Sequence, residues 1–214
     1  MDPHLLNITI GLVYIVAFGG LSFLRREGLS GQFAFEVLGV MAIAEGGALL
    51  TGTTIHPILF LIIIYLPSMR VRLLVDIANL LSARGRQRDA VQLLQFALRI
   101  FPDAPTRLIV MANLGIIQLR RKNPESAQAL LESVLEEAKT VKLGLKYEAA
   151  CRYNLGLALQ QQGKEAGAVV QFNKVINIPP NSMYSKAAAR ALEKRRGRHQ
   201  ERKQPADDEM NLPS

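Results

Sequence analysis

Tryptophan is missing from this 214-residue sequence, and cysteine occurs once, at Cys151. A lone thiol excludes a disulfide scaffold and fits a reducing compartment. Histidine is scarce too: His4, His56 and His199 are too widely spaced to make a His/Cys metal site. No phosphate-binding Gly-rich loop with Lys and no dinucleotide fingerprint occurs. Gly28-Leu29-Ser30-Gly31-Gln32 lacks the final glycine and the preceding strand of a nucleophile elbow. No catalytic constellation, metal or cofactor is expected, and the chain does not read as an enzyme.

Charge is also absent where it would be most visible. From Leu5 to Leu24 there is no Asp, Glu, Lys or Arg, enough chain to cross about 30 Å of hydrocarbon. Residues 1–67 carry two arginines against four acids, whereas the rest carries 24 Lys and Arg against 14 acids. The chain therefore divides into a membrane part and a basic part. No cation precedes the first apolar run, so it reads as a retained anchor rather than a signal peptide. Further apolar segments run over 33–50 and 53–67, joined tightly at Gly52. Pro57 starts the third, with Thr53 or Thr54 as its expected cap. Three spans (5–24, 33–50, 53–67), or one span and a re-entrant hairpin, make up a transmembrane region over 1–67 in contact with lipid.

Arg25 and Arg26 follow the first span, and Arg70 and Arg72 follow the third. Positive flanks stay inside, so a multi-pass inner (cytoplasmic) membrane protein is expected, with its C-terminal part in the cytoplasm. Glu36 and Glu45 interrupt the second span nine residues apart, on opposite faces of a helix. Intramembrane acids are functional candidates because charge is costly there; His56 lies near the far end of the third span. Two readings stand: acids used in helix packing or partner contact, or groups of a transport site.

What the second part contains is a repeat. Align Asp89-Ala90-Val91, Ser126-Ala127-Gln128 and Gly167-Ala168-Val169 on their alanines. Four residues on come Leu94, Leu131 and Phe172; three further, Ala97, Val134 and Val175. Thirteen residues before the alanines lie Ile77, Leu114 and Leu155, followed by small Ala78, Gly115 and Gly156. Gly85 and Gly163 open a turn five residues before the alanine in two copies, and Lys122-Asn123-Pro124 breaks the chain in the second. Pro102 and Pro180 close the first and third copies. Each unit is a helix–turn–helix whose small residue lets the two helices approach closely.

This pattern resembles the tetratricopeptide repeat (TPR) family over about 71–102, 108–139 and 149–180. The resemblance implies an all-α fold: N-terminal transmembrane helices, then a three-repeat α-solenoid over 68–196 with a capping helix at 182–196. Residues 197–214 are expected to be a disordered tail. The family's first helices line a concave groove for a peptide segment of a protein partner. The matching groove positions here include Asn79, Ser82, Asn113, Ile116, Tyr153, Asn154, Leu157 and Gln160. Asn113 and Asn154 either grip a partner's backbone or hydrogen-bond within the stack. Val75 and Ala150 stand where a carboxylate-clamping subgroup has lysines, so the groove should prefer a neutral or amphipathic segment.

The basic stretch Lys186–Lys203 has three readings: a solvated face, a contact for anionic lipid, and a nucleic-acid contact, the weakest because no aromatics are interleaved. The functional expectation is a membrane-anchored adaptor or scaffold that recruits a protein at the membrane. The alternative is an accessory subunit of a membrane transport or energy-converting complex that works through residues 1–67.

Overall fold

The computed structural model describes residues 2–24, 31–141, 143–178 and 182–210. Arg25, Arg26 and Pro180 lie outside them, as do the last four residues. The described residues form α-helices and their connections: α1 (Pro3–Leu24), α2 (Gly31–Thr51), α3 (Pro57–Ala83), α4 (Gln87–Arg99), α5 (Ala104–Arg120), α6 (Pro124–Glu137), α7 (Leu145–Gln161), α8 (Glu165–Ile176) and α9 (Met183–Met210). Helices α1, α2 and α3 pack on one another, and all three are long and apolar enough to cross a membrane. Helices α3/α4, α5/α6 and α7/α8 form successive hairpins, and α9 packs on α7 and α8.

The aligned positions form the stack's core. Ala90, Ala127 and Ala168 are buried, as are Leu94, Leu131 and Phe172, and Ala97, Val134 and Val175. A Cβ on Gly115 would stand 2.9 Å from Leu131, and one on Gly156 2.6 Å from the Phe172 ring. The absent side chain is therefore what lets each bulky residue settle onto the opposite helix. Leu114 and Leu155 are buried but Ile77, their counterpart, is 49% exposed, because no repeat precedes α3.

The three turns between paired helices use the same bonds. Arg86 N donates to Leu81 O, Asn123 N to Gln118 O and Lys164 N to Leu159 O, the six-residue closure of a Schellman motif. Gly85 and Gly163 take the left-handed φ it requires (80° and 74°). In the second copy Lys122 adopts it at φ 60°, against the preference of an L-residue.

Two elements differ from expectation. Helix α3 runs unbroken from Pro57 to Ala83, so Pro67 interrupts nothing. Proline at this position removes the one ladder bond to the carbonyl four residues back, yet α3 stays one helix packed on α1 and α2; beyond it Arg70 Nη1 donates to Pro67 O at 2.7 Å. The helix starts on His56, whose side chain accepts from Ile58 N at 3.4 Å, rather than on Thr53 or Thr54. At the other end, α9 continues through Gly197 to Met210 in place of the expected disordered tail. Arg198 and Gln200–Gln204 are good helix formers, although Gly197 and Pro205 in the same segment are not.

Candidate groove and the polar clasps of the helical hairpin

The first helices of the repeats, α3, α5 and α7, neighbour one another in order and line one side of the stack. Asn79 is exposed on α3. Asn113 and Asn154 are half-buried, and each donates its amide to the carbonyl one turn back, Ile109 O and Ala150 O, both at 2.8 Å. That bond orients both amides alike. Ile116, Leu157 and Gln160 are half-buried on the same helices.

Ser82 is different: it is buried, and its hydroxyl accepts from Arg120 Nη1 at 2.8 Å. It ties the first repeat to the second instead of facing a partner. The Tyr153 ring packs between Phe172 (5.8 Å between centroids) and Tyr184 (5.9 Å), joining α7 to α8 and α9. Cys151 is buried beside it, and burial pushes its thiol up to about 12, leaving an inert neutral sulfhydryl.

The polar residues of the N-terminal helical hairpin, here α1–α3 together, gather into clasps. Glu36 and Glu45 do face different neighbours. Glu36 receives two bonds from Arg70, Nη1 to Oε2 at 2.6 Å and Nη2 to Oε1 at 2.9 Å, and a third from Gln32 at 2.9 Å. The same Arg70 donates to Ile100 O at 3.3 Å, so the pair joins α2, α3 and the α4–α5 loop. Glu45 is buried against α1: His4 Nδ1 lies 2.8 Å from its Oε2, and Asn7 Nδ2 donates to its Oε1 at 2.8 Å. Asn7 is wholly buried and also donates to Ile55 O at 2.9 Å, while its Oδ1 has no partner. Between these two clasps Tyr14 and Ser68 share a 2.8 Å hydrogen bond. His56 serves as a helix cap rather than joining Glu45.

His4 and Asn7 were not singled out as partners of Glu45 by the sequence. Both look innocuous within an uncharged run, and the partner lies about forty positions away. No group of three His, Cys, Asp or Glu side chains able to hold a metal occurs among the described residues.

An array of helix hairpins whose first helices border one face is the architecture of a protein-interaction module. Tetratricopeptide-repeat family models match the chain over residues 70–140 and again over 150–182. The chain belongs to the tetratricopeptide-repeat family. No curated protein and no solved structure matches it.

Proposed function

We propose that this protein is a membrane-anchored adaptor: α1–α3 cross the bilayer and the repeats face the cytoplasm, where their groove recruits a protein partner. The observation that carries this reading is the single helix α3, which passes from the apolar hairpin into the first repeat without a linker. Fixing the groove at the membrane raises the effective concentration of a partner for anything beside it. The cytoplasmic side follows from the cations Arg70 and Arg72 after the third span. Asn79, Asn113, Asn154, Ile116, Leu157 and Gln160 form the docking face, and the self-bonded amides keep their carbonyl oxygens for a partner's N–H groups. The test is a photo-crosslinking residue in the full chain in native membranes. Placed at Asn79 or Gln160 it should give one discrete protein adduct, and at Gln95 on α4 none. The same yield at all three positions would contradict the groove.

A second reading draws on the convergence of His4 and Asn7 on Glu45: residues 1–67 contribute a working site to a larger transport or energy-converting complex. Glu45→Gln keeps the shape and removes the charge. Loss of such a complex's activity with assembly intact would favour this reading over the adaptor.

A further inference from the structure

Phe101 is an aromatic residue set in an unusual place. It follows α4, its ring is 83% exposed, and its backbone is left-handed at φ 52°, which a bulky L-residue rarely adopts. Its carbonyl accepts from Gln32 Nε2 at 3.0 Å and from Arg70 Nη2 at 3.5 Å. Gln32 is the second residue of α2, and Arg70 is the first charged residue after the apolar start of α3. The α4–α5 loop is thus stitched to the hairpin at the level where both helices pass from apolar to charged sequence, while the ring itself stays uncovered. One turn along α2, Phe35 is 78% exposed, and one turn before Arg70, Leu66 is 53% exposed. Exposed apolar side chains thus stand on each of the elements that meet at the Phe101 carbonyl. Arg99, exposed in the last turn of α4, stands two residues away.

We infer that the α4–α5 loop is a membrane-contact site: Phe101 inserts into the interfacial layer of a bilayer containing anionic phospholipid, with Arg99 meeting headgroup phosphates. Apolar side chains such as Phe on membrane-surface segments bury a short way into the headgroup/acyl boundary, and cations near an anionic leaflet are attracted to it. The occupant is lipid because the loop is bonded to helices whose adjoining outer surface is itself apolar. A partner protein would have to reach the same level beside the hairpin. The first repeat is then held to the bilayer by α3, by the Glu36–Arg70 clasp and by this loop, which fixes the direction its groove faces. This rests on the reading that α1–α3 cross a membrane.

The absence of tryptophan supplies the test. Phe101→Trp in the full chain, reconstituted into phosphatidylcholine/phosphatidylglycerol vesicles, places a sole indole in the loop, and Val170→Trp on α8 places one on the far repeat. The expected result is blue-shifted Phe101→Trp emission, quenched by lipids brominated near the headgroup end of their chains, with Val170→Trp unshifted and unquenched. Adding Arg99→Gln should reduce the quenching in anionic vesicles. Water-like, unquenched emission from Phe101→Trp in chains that co-float with the vesicles would overturn the loop contact alone. Equal quenching at both positions would also overturn it, since the whole stack would then lie on the lipid. Chains that fail to co-float would overturn the anchoring reading as well.

Discussion

The helical hairpin and the repeat stack are built on opposite rules. In the stack, apolar side chains close inward, from Val71 to Ala188. In the hairpin, the apolar residues are largely on the outside: Val16, Phe35, Ile43 and Leu50 are between 73% and 91% exposed. What it buries includes Asn7 and Glu45, alongside a small core around Tyr14, Val37, Phe60 and Ile64. A chain in water gains by hiding hydrocarbon. A chain in lipid gains nothing that way, and instead draws its polar groups together and packs small residues closely. Gly11 fits this, since a Cβ there would stand 2.5 Å from the Met41 sulfur. On the reading that α1–α3 cross a membrane, this reversal places the change of solvent along α3.

Identical truncations should break this comparison most sharply. Leu131→Ala empties a fully buried site and should cost about 2–5 kcal/mol, read by denaturant unfolding of the full chain in nanodiscs. Leu50→Ala, at a site 91% exposed, should change stability by less than about 0.5 kcal/mol. Next in size is overpacking: Gly156→Ala presses a methyl into the Phe172 ring and should cost about 1–3 kcal/mol in spite of the better helix former.

The clasp between the two regions should be smaller in effect and reversible by design. Its side chains are about 30% exposed, 31% for Arg70 and 29% for Glu36. A bidentate pair in that setting is worth about 1–2 kcal/mol. Arg70→Glu should loosen the first repeat from the hairpin, seen as faster amide exchange at residues 99–103. The Glu36→Arg/Arg70→Glu double change should restore the α2–α3 ion pair and part of the stability, while the Ile100 and Phe101 carbonyls stay without their arginine donor. Smaller still is Lys122→Gly, which should raise stability by up to about 1 kcal/mol by relieving the left-handed φ.

Cys151 gives a pH test on the stack side. The folded thiol keeps its proton up to about 12, whereas an unfolded one loses it near about 8.5. Above that pH the unfolded state binds fewer protons, so the thiol's contribution to stability falls as pH rises from about 9 to 12. A Cys151→Ala chain should lack that slope, and alkylation of the native thiol should stay slow across the range.

The stack was readable because its signal is periodic. Ala90, Ala127 and Ala168 repeat with the same neighbours, and each is buried where the pattern placed it. Three apolar helices were legible for a similar reason: length and composition are local properties. The clasps were not. Asn7 reads as one polar residue in an uncharged run, and only folding brings it to Glu45 and Ile55 O. Pro67 misled in the same way, since proline often ends a helix, but α3 runs through it. The Ser82 hydroxyl matched a groove position by register, yet an arginine 38 residues later occupies it.

A fixed groove requires α3 to be one rigid rod from the apolar hairpin into the first repeat. Spin labels at Ile62 and Asn79, on either side of Pro67, would measure this in the full Cys151→Ala chain in nanodiscs. Seventeen residues of continuous helix span about 26 Å, so a single narrow distance distribution near ~26 Å is predicted. A broad or two-peaked distribution would mean that the repeats swing on a hinge at Pro67, contrary to the rigid display of the groove.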